Sequence, residues 1–295
     1  MTIQRIRERA EESLKRSRLA DFPEQVRTAR LDADVLIAHV LKKDRTWILF
    51  HRADDVQADD EKAIFSCVEK RKTGLPVAYI TGRKDFFGTD FLVTPDVLIP
   101  KPDTELLVEQ TLSELKSRSA AASICDMCAG SGCVGISVAK SAPAQTRSLT
   151  LVDVSEGALA VARKNATRIM GARGGISFVR SNLFSDVRGS FDIITSNPPY
   201  VPRTVALKLL EDGRREPLLA LDGDGEGTSS DDGLSVMRRL VPQARAHLRR
   251  GGVLLVETGE YNAQKTAELF EEAGFARVRI ETDMNGMMRN VIGYA

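Results

Sequence analysis

Ser123-Ile124-Cys125-Asp126-Met127-Cys128-Ala129-Gly130-Ser131-Gly132-Cys133-Val134 decides how the chain is read. A short apolar run ends in a turn built from small residues, and apolar residues at helical spacing follow to Lys140. A strand that runs through a tight turn into a helix opens an α/β unit. The turn 128–132 lets backbone approach a ligand closely, and the helix start behind it offers unpaired N–H groups. A tight strand-to-helix turn occurs in any α/β protein, so this stretch names the fold before it names a ligand.

Downstream, short apolar runs at 149–152, 176–179, 191–195, 253–257, 278–281 and 289–294 alternate with helical patterns at 156–170, 234–248 and 263–273. With 123–127 they make seven strands, the last two looking antiparallel, which points away from the six-stranded dinucleotide fold. Upstream, none of the 22 glycines precedes Gly74, and Pro23 is the only proline before it. Ala29, Ala33, Leu36, Ile37, Val40 and Leu41 repeat at three-to-four-residue spacing, and Ile64, Phe65 and Val68 suggest a second stripe. Residues 1–75 therefore read as a helical bundle. Residues 76–97, rich in aromatic and β-branched residues with Gly82 and Gly88 between them, read as a linking hairpin, and residues 98–295 as the α/β domain. Thr104 or Asp103 is placed to cap a helix starting near Leu106.

The chain has 295 residues and a formal net charge of +1. That length buries a core without help from disulfides, and the neutral balance removes any bulk electrostatic case for nucleic acid or membrane binding. The bundle carries 16 basic and 14 acidic side chains. It reads as a packing or docking module, not as a basic arm. No apolar run approaches the roughly 18 residues of a spanning helix, and the charged N-terminus is unlike a signal peptide, so a cytoplasmic protein is expected.

Two further features carry chemistry. Asp153 ends the second strand, where a carboxylate can accept both ribose hydroxyls or can cap the helix beginning near Glu156. Asn197-Pro198-Pro199-Tyr200 follows the strand at 191–195. Its consecutive prolines stiffen the turn and remove two N–H donors, so it presents carbonyl oxygens and the Asn197 side-chain oxygen, acceptors suited to a planar NH₂ group.

With these residues in order the chain resembles the HemK/PrmC family of S-adenosylmethionine-dependent methyltransferases. That family methylates the glutamine side-chain amide (N5) of the Gly-Gly-Gln motif in class 1 peptide chain release factors. The likeness also rests on Tyr79 to Gly82 with Phe86 to Gly88, Val97 to Pro100 with Thr104 and Glu105, Asn165 and Ala166, Glu216 and Pro217, and Asp283 to Arg289. It implies a seven-stranded, Rossmann-like methyltransferase domain. It further implies that Cys128, Ala129, Gly130, Ser131, Gly132, Asp153, Asn182, Leu183 and Asn197 hold S-adenosylmethionine, and later its product S-adenosylhomocysteine. Asn197 and Pro198 would be catalytic, with Pro199 and Tyr200 flanking the substrate amide, and Phe86 or Phe87 would close the pocket or serve as core aromatics. The chain departs from the pattern in three places. Cys128 stands where a glycine opens the cofactor loop, Lys101 where arginine is usual, and Asn182 where an acidic residue is common.

Other signals lead elsewhere. Cys125, Cys128 and Cys133 lack a fourth ligand nearby for a closed zinc site, so no metal is expected. Asp222, Asp224, Glu226 and Gly227 copy the opening of a calcium loop, but Gly233 occupies the position that requires a glutamate. Residues 222–233 read instead as a solvated, mobile insertion near the substrate. The rival activities are methylation of adenine N6 in DNA and of a glutamine on a ribosomal protein. A non-catalytic nucleoside-binding scaffold is the reading from another class. The expected partners are class 1 release factors, without nucleic acid or membrane, and the expected state is a monomer.

Overall fold

The computed structural model describes residues 1–17, 27–171 and 174–295. The chain forms two compact units: Met1–Arg83 with Leu209–Arg215, and Lys84–Lys208 with Glu216–Ala295.

The first unit is helical: α1 (Ile3–Lys15), α2 (Ala29–Leu41), α3 (Arg45–Phe50), α4 (Ala58–Lys72) and α5 (Val77–Thr81). The side-chain oxygen of Thr2 caps α1 and that of Asp44 caps α3, each accepting an otherwise unpaired first-turn N–H. Ile3, Ile6, Ala10 and Leu14 fall on one stripe of α1 and pack against Ala29, Ala33, Leu36 and Ile37 of α2 and Ile64 and Val68 of α4. All ten are at most 1% exposed, and each fully buried Ile, Leu or Val among them contributes about 1.5–3 kcal/mol. Two ion pairs lie in the same layer. Arg7 grips both oxygens of Asp34, and Arg71 Nε lies 2.7 Å from Asp32 Oδ2.

The expected hairpin over 76–97 is only partly a hairpin. Residues 77–81 form one helical turn, started by Pro76 and stopped by Gly82 in the left-handed region at φ 69°. The strands are β1 (Arg83–Phe86) and β2 (Thr89–Leu92). Tyr79, Ile80 and Thr81 are strand formers, but strand propensity yields readily to context, and a proline start with a glycine stop is the stronger local instruction.

In the second unit a seven-stranded sheet is interleaved with helices. Its members are β3 (Ala122–Met127), β4 (Thr146–Asp153), β5 (Ile176–Arg180), β6 (Phe191–Ser196), β7 (Leu248–Glu257), β8 (Ala276–Thr282) and β9 (Met288–Tyr294). The helices are α6 (Glu105–Lys116), α7 (Cys133–Ser141), α8 (Glu156–Met170), α9 (Arg203–Leu209), α10 (Ser235–His247) and α11 (Ala263–Glu272). The sheet order is β5-β4-β3-β6-β7-β9-β8, with β9 antiparallel to both of its neighbours. Every residue of β3 is buried, as a central parallel strand covered on both faces requires.

From β3 the chain passes to β4 on one side, and on the other side β3 pairs with β6. This reversal of strand order opens a crevice at the carboxyl edge, the usual ligand position in such sheets. The parallel register aligns Met127 with Val152 and Ser196, and Ser196 with Val256. The turn after β3, Asp153, Asn197 and Glu257 therefore all end on one edge.

Candidate active site

That edge holds a cavity of about 370 Å³. Of the residues expected to touch cofactor or substrate, Cys128, Ala129, Gly130, Ser131, Asp153, Asn182, Leu183, Asn197 and Pro199 line it. Gly132, Pro198 and Tyr200 are not among the lining residues. Gly132 instead sits at the start of α7 with φ 76°. Phe86 takes the core alternative and meets the Phe91 ring edge-on at 6.0 Å, and Phe87 packs against the same core.

The turn after β3 is held from several directions. Ala129 N–H donates to the Val152 carbonyl, and Gly130 N–H donates to Asp153 Oδ2 at 2.9 Å, while Asp153 Oδ1 accepts from Ser155 N–H. Buried Asn165 donates to the carbonyls of Ser131 and Leu92 and accepts from Leu92 N–H, joining the turn to β2. Cys128 adopts the left-handed backbone that glycine favours, at φ 59°. For a residue with a β-carbon this costs about 1–2 kcal/mol. A β-carbon on Gly130 would meet no atom within 4 Å, so open space lies beside this backbone.

These features fit a nucleoside sulfonium ligand. A carboxylate at the end of β4 faces the cavity, backbone approaches it closely, and Leu183, Val154 and Ala158 supply apolar wall. Asn182 Oδ1 accepts from Arg239 at 2.8 Å, so this amide is oriented by a cation. Burial pushes the Cys133 thiol up to about 12 and raises Cys125 and Cys128 as well. All three stay protonated and unreactive at neutral pH.

The turn after β6 is fixed as firmly. Ser196 Oγ donates to the Met127 carbonyl at 2.7 Å. Asn197 Nδ2 donates to Thr104 Oγ1 at 3.0 Å, and Tyr200 Oη donates to Glu257 Oε1 at 3.2 Å. The Tyr200 carbonyl accepts from Tyr261 Oη and Asn262 Nδ2, both at 3.1 Å. Thr104 thus binds Asn197 and makes no side-chain cap to α6, contrary to the sequence expectation.

Residues 222–233 are exposed over 226–229 and at Asp231, as a solvated loop would be, but differ from expectation at their ends. Asp222 and Asp224 are buried, 6% and 3% exposed. Asp222 accepts from the N–H groups of Asp224 and Gly225 and pairs with Arg203, while Asp224 accepts from Gly233 N–H. A β-carbon on Gly233 would lie 2.1 Å from the Tyr200 carbonyl oxygen. Asp222 and Asp224 turn inward to backbone donors, and glycine allows the segment to press against the 197–200 turn.

Two buried acids at this edge were missed. Asp126 is 1% exposed, accepts from Gly135 N–H at 2.9 Å, and is pushed by burial to about 7. Glu257, 2% exposed, is likewise lifted by burial to about 7. The available signal was a single acid at or next to the carboxyl end of a short apolar run, 123–127 and 253–257. Both groups hold protons in the fold that the unfolded chain releases near pH 4, so they lower stability as pH rises from about 4.5 to 7. Asp126→Asn, which keeps an acceptor for Gly135, is expected to raise Tm relative to wild type more at pH 8 than at pH 5. Thermal denaturation of both proteins across that range checks this, and a difference independent of pH would contradict it.

The strand order with its reversed β9, the cavity at the carboxyl edge and the acceptor turn after β6 define an S-adenosylmethionine-dependent methyltransferase. Residues 10–82 match the PrmC N-terminal domain model, and residues 102–215 match the methyltransferase small domain model. The release factor glutamine methyltransferase of Bordetella pertussis is 38% identical, over 90% of this chain and 94% of the relative. That of Koribacter versatilis is 34% identical over 95% of each. The chain belongs to the release factor glutamine methyltransferase family. A solved methyltransferase from Pyrococcus furiosus shares the fold at TM-score 0.50 and 21% identity, covering 72% of this chain and 91% of its own.

Proposed function

We propose that the enzyme transfers a methyl group to the side-chain amide nitrogen of the glutamine in the Gly-Gly-Gln motif of class 1 peptide chain release factors. When bound against residues 128–132, Asp153, Asn182 and Leu183, S-adenosylmethionine supplies an electrophilic methyl group. The observation that carries the reading is Asn197, a wall of the cavity whose Nδ2 is already committed to Thr104. Oδ1 is then the free acceptor of that side chain.

A glutamine amide is a poor nucleophile because its nitrogen lone pair is delocalised into the carbonyl. Asn197 Oδ1 and the Pro198 carbonyl accept its two N–H hydrogens, aim the nitrogen and stabilise the positive charge it gains. Pro199 forms wall beside the flat amide. No side chain at the turn is placed as a general base, and the surplus proton passes to water after transfer.

One exposed glutamine offers little to distinguish it, so specificity is assigned to remote contacts. The helical unit is proposed as the docking module, where Phe50 is 83% exposed. Its near-neutral charge favours a protein substrate over DNA, which needs a basic face. Among the described residues no helix is long and apolar enough to cross a membrane, and a cytoplasmic monomer is part of the proposal.

Labelled-methyl assays with a release factor, a ribosomal protein fraction and duplex DNA in parallel test the reading. Label in the release factor alone is expected. Label in DNA alone would replace this proposal with adenine methylation.

A further inference from the structure

The amide of Asn197 works only one way round. With Oδ1 toward the substrate it accepts an N–H, but with Nδ2 there it opposes the NH₂ it should hold. Its orientation is decided by the group behind it, Thr104 Oγ1, 3.0 Å from Nδ2. A hydroxyl can donate or accept, so Thr104 enforces one orientation only if its own hydrogen is engaged elsewhere.

Glu257 supplies that engagement. Thr104 is 2% exposed and its hydroxyl faces the Glu257 carboxyl. Oε1 of that carboxyl accepts from Tyr200 Oη at 3.2 Å, while Oε2 is buried and makes no hydrogen bond to a neighbour. Oε2 is therefore open to the Thr104 hydrogen. Asp103 and Arg289, themselves paired at 3.1 Å, and the Cys133 thiol are the other ionisable groups facing Glu257. None of them donates to it.

Resting on the proposed glutamine chemistry, we infer that Thr104 and Glu257 are positioning residues that set the polarity of Asn197. Once ionised, the Glu257 carboxylate accepts the Thr104 and Tyr200 hydroxyl hydrogens, Thr104 Oγ1 can then only accept from Asn197 Nδ2, and Oδ1 is left facing the substrate. One buried carboxylate thereby orients both ends of the Asn197 to Tyr200 turn. Glutamine at 257 keeps the shape, but its NH₂ presents hydrogens where Oε2 offered a lone pair. The Thr104 hydroxyl then reverses and competes for the wrong end of Asn197.

The test compares Thr104→Val, Thr104→Ser and Glu257→Gln with wild type at a pH of about 8, above the range in which the carboxyl titrates. It reads single-turnover transfer to a release factor, the KM for that protein, and S-adenosylmethionine affinity by calorimetry. Thr104→Val and Glu257→Gln are expected to slow the chemical step about 10- to 100-fold, with KM and cofactor affinity within about threefold. Thr104→Ser, which keeps the hydroxyl, should stay within about threefold of wild type. A full rate in Thr104→Val or Glu257→Gln would overturn the inference, as would a parallel loss of cofactor affinity or a failure of serine to rescue. If wild type itself transferred no methyl to the release factor, the functional reading would fail and not the positioning role.

Discussion

Replacing Asn197 with alanine should lower single-turnover methyl transfer about 100- to 1,000-fold, the usual effect of deleting one preorganised group that meets developing charge. S-adenosylmethionine affinity should change by no more than about threefold. The asymmetry follows from what surrounds the residue. The turn after β3 is held by the Val152 carbonyl, by Asp153 and by Asn165, none of which depends on Asn197. Ser196 still fastens the end of β6 to the Met127 carbonyl, so the turn keeps its course without the amide. What disappears is one acceptor for the substrate NH₂, and a group felt only as charge develops is read in the rate and not in binding. Rapid-quench single turnovers beside calorimetric titration of the cofactor separate the two. Equal losses would assign Asn197 to cofactor binding.

Arg7→Ala carries the largest expected effect on stability, about 3–5 kcal/mol, because it strands a buried carboxylate. Arg7 and Asp34 side chains are 2% and 8% exposed, and the pair is bidentate between α1 and α2. In alanine's place a void opens and Asp34 faces apolar neighbours without its partner. The same reasoning predicts that Arg7→Met combined with Asp34→Leu recovers most of the loss, since well-packed apolar replacements of a buried pair are often neutral or better. Denaturant unfolding of the single and double variants checks this. A loss below about 1 kcal/mol for Arg7→Ala would mean that water reaches Asp34 and that the pair is energetically a surface one.

The parallel strands were legible because buried strands read as short apolar runs between turn signals, and the reversed β9 was legible from the spacing of the last two runs. The helical unit showed through its apolar stripes, with Ala29, Ala33, Leu36, Ile37, Ile64 and Val68 all in its core. The ion pairs across it were hidden, because Arg7 and Asp34 stand 27 residues apart and each alone looks like solvated helix surface. Residues 77–81 misled because strand propensity is weak beside a Pro76 start and a Gly82 stop. Residues 222–233 are solvated in the middle as expected, with 226–229 exposed, but their ends were misread. Asp222, Asp224 and Gly233 are buried, and Gly233 is required for contact with Tyr200. Cys128 shows that a glycine-like backbone angle can persist under another residue when the turn is held on both sides. Thr104 was legible only as a helix start and a family match, and Glu257 only as the end of a strand, since their meaning lies in which hydroxyl faces which oxygen across three separate segments.

Tandem mass spectrometry of a release factor after incubation with purified enzyme and S-adenosylmethionine tests the central claim most directly. The account predicts a single gain of about 14 daltons, one CH₂, on the glutamine of the Gly-Gly-Gln tripeptide, and its absence when Asn197→Ala replaces wild type. A methyl group on any other residue, or an undiminished gain with the alanine variant, would contradict it.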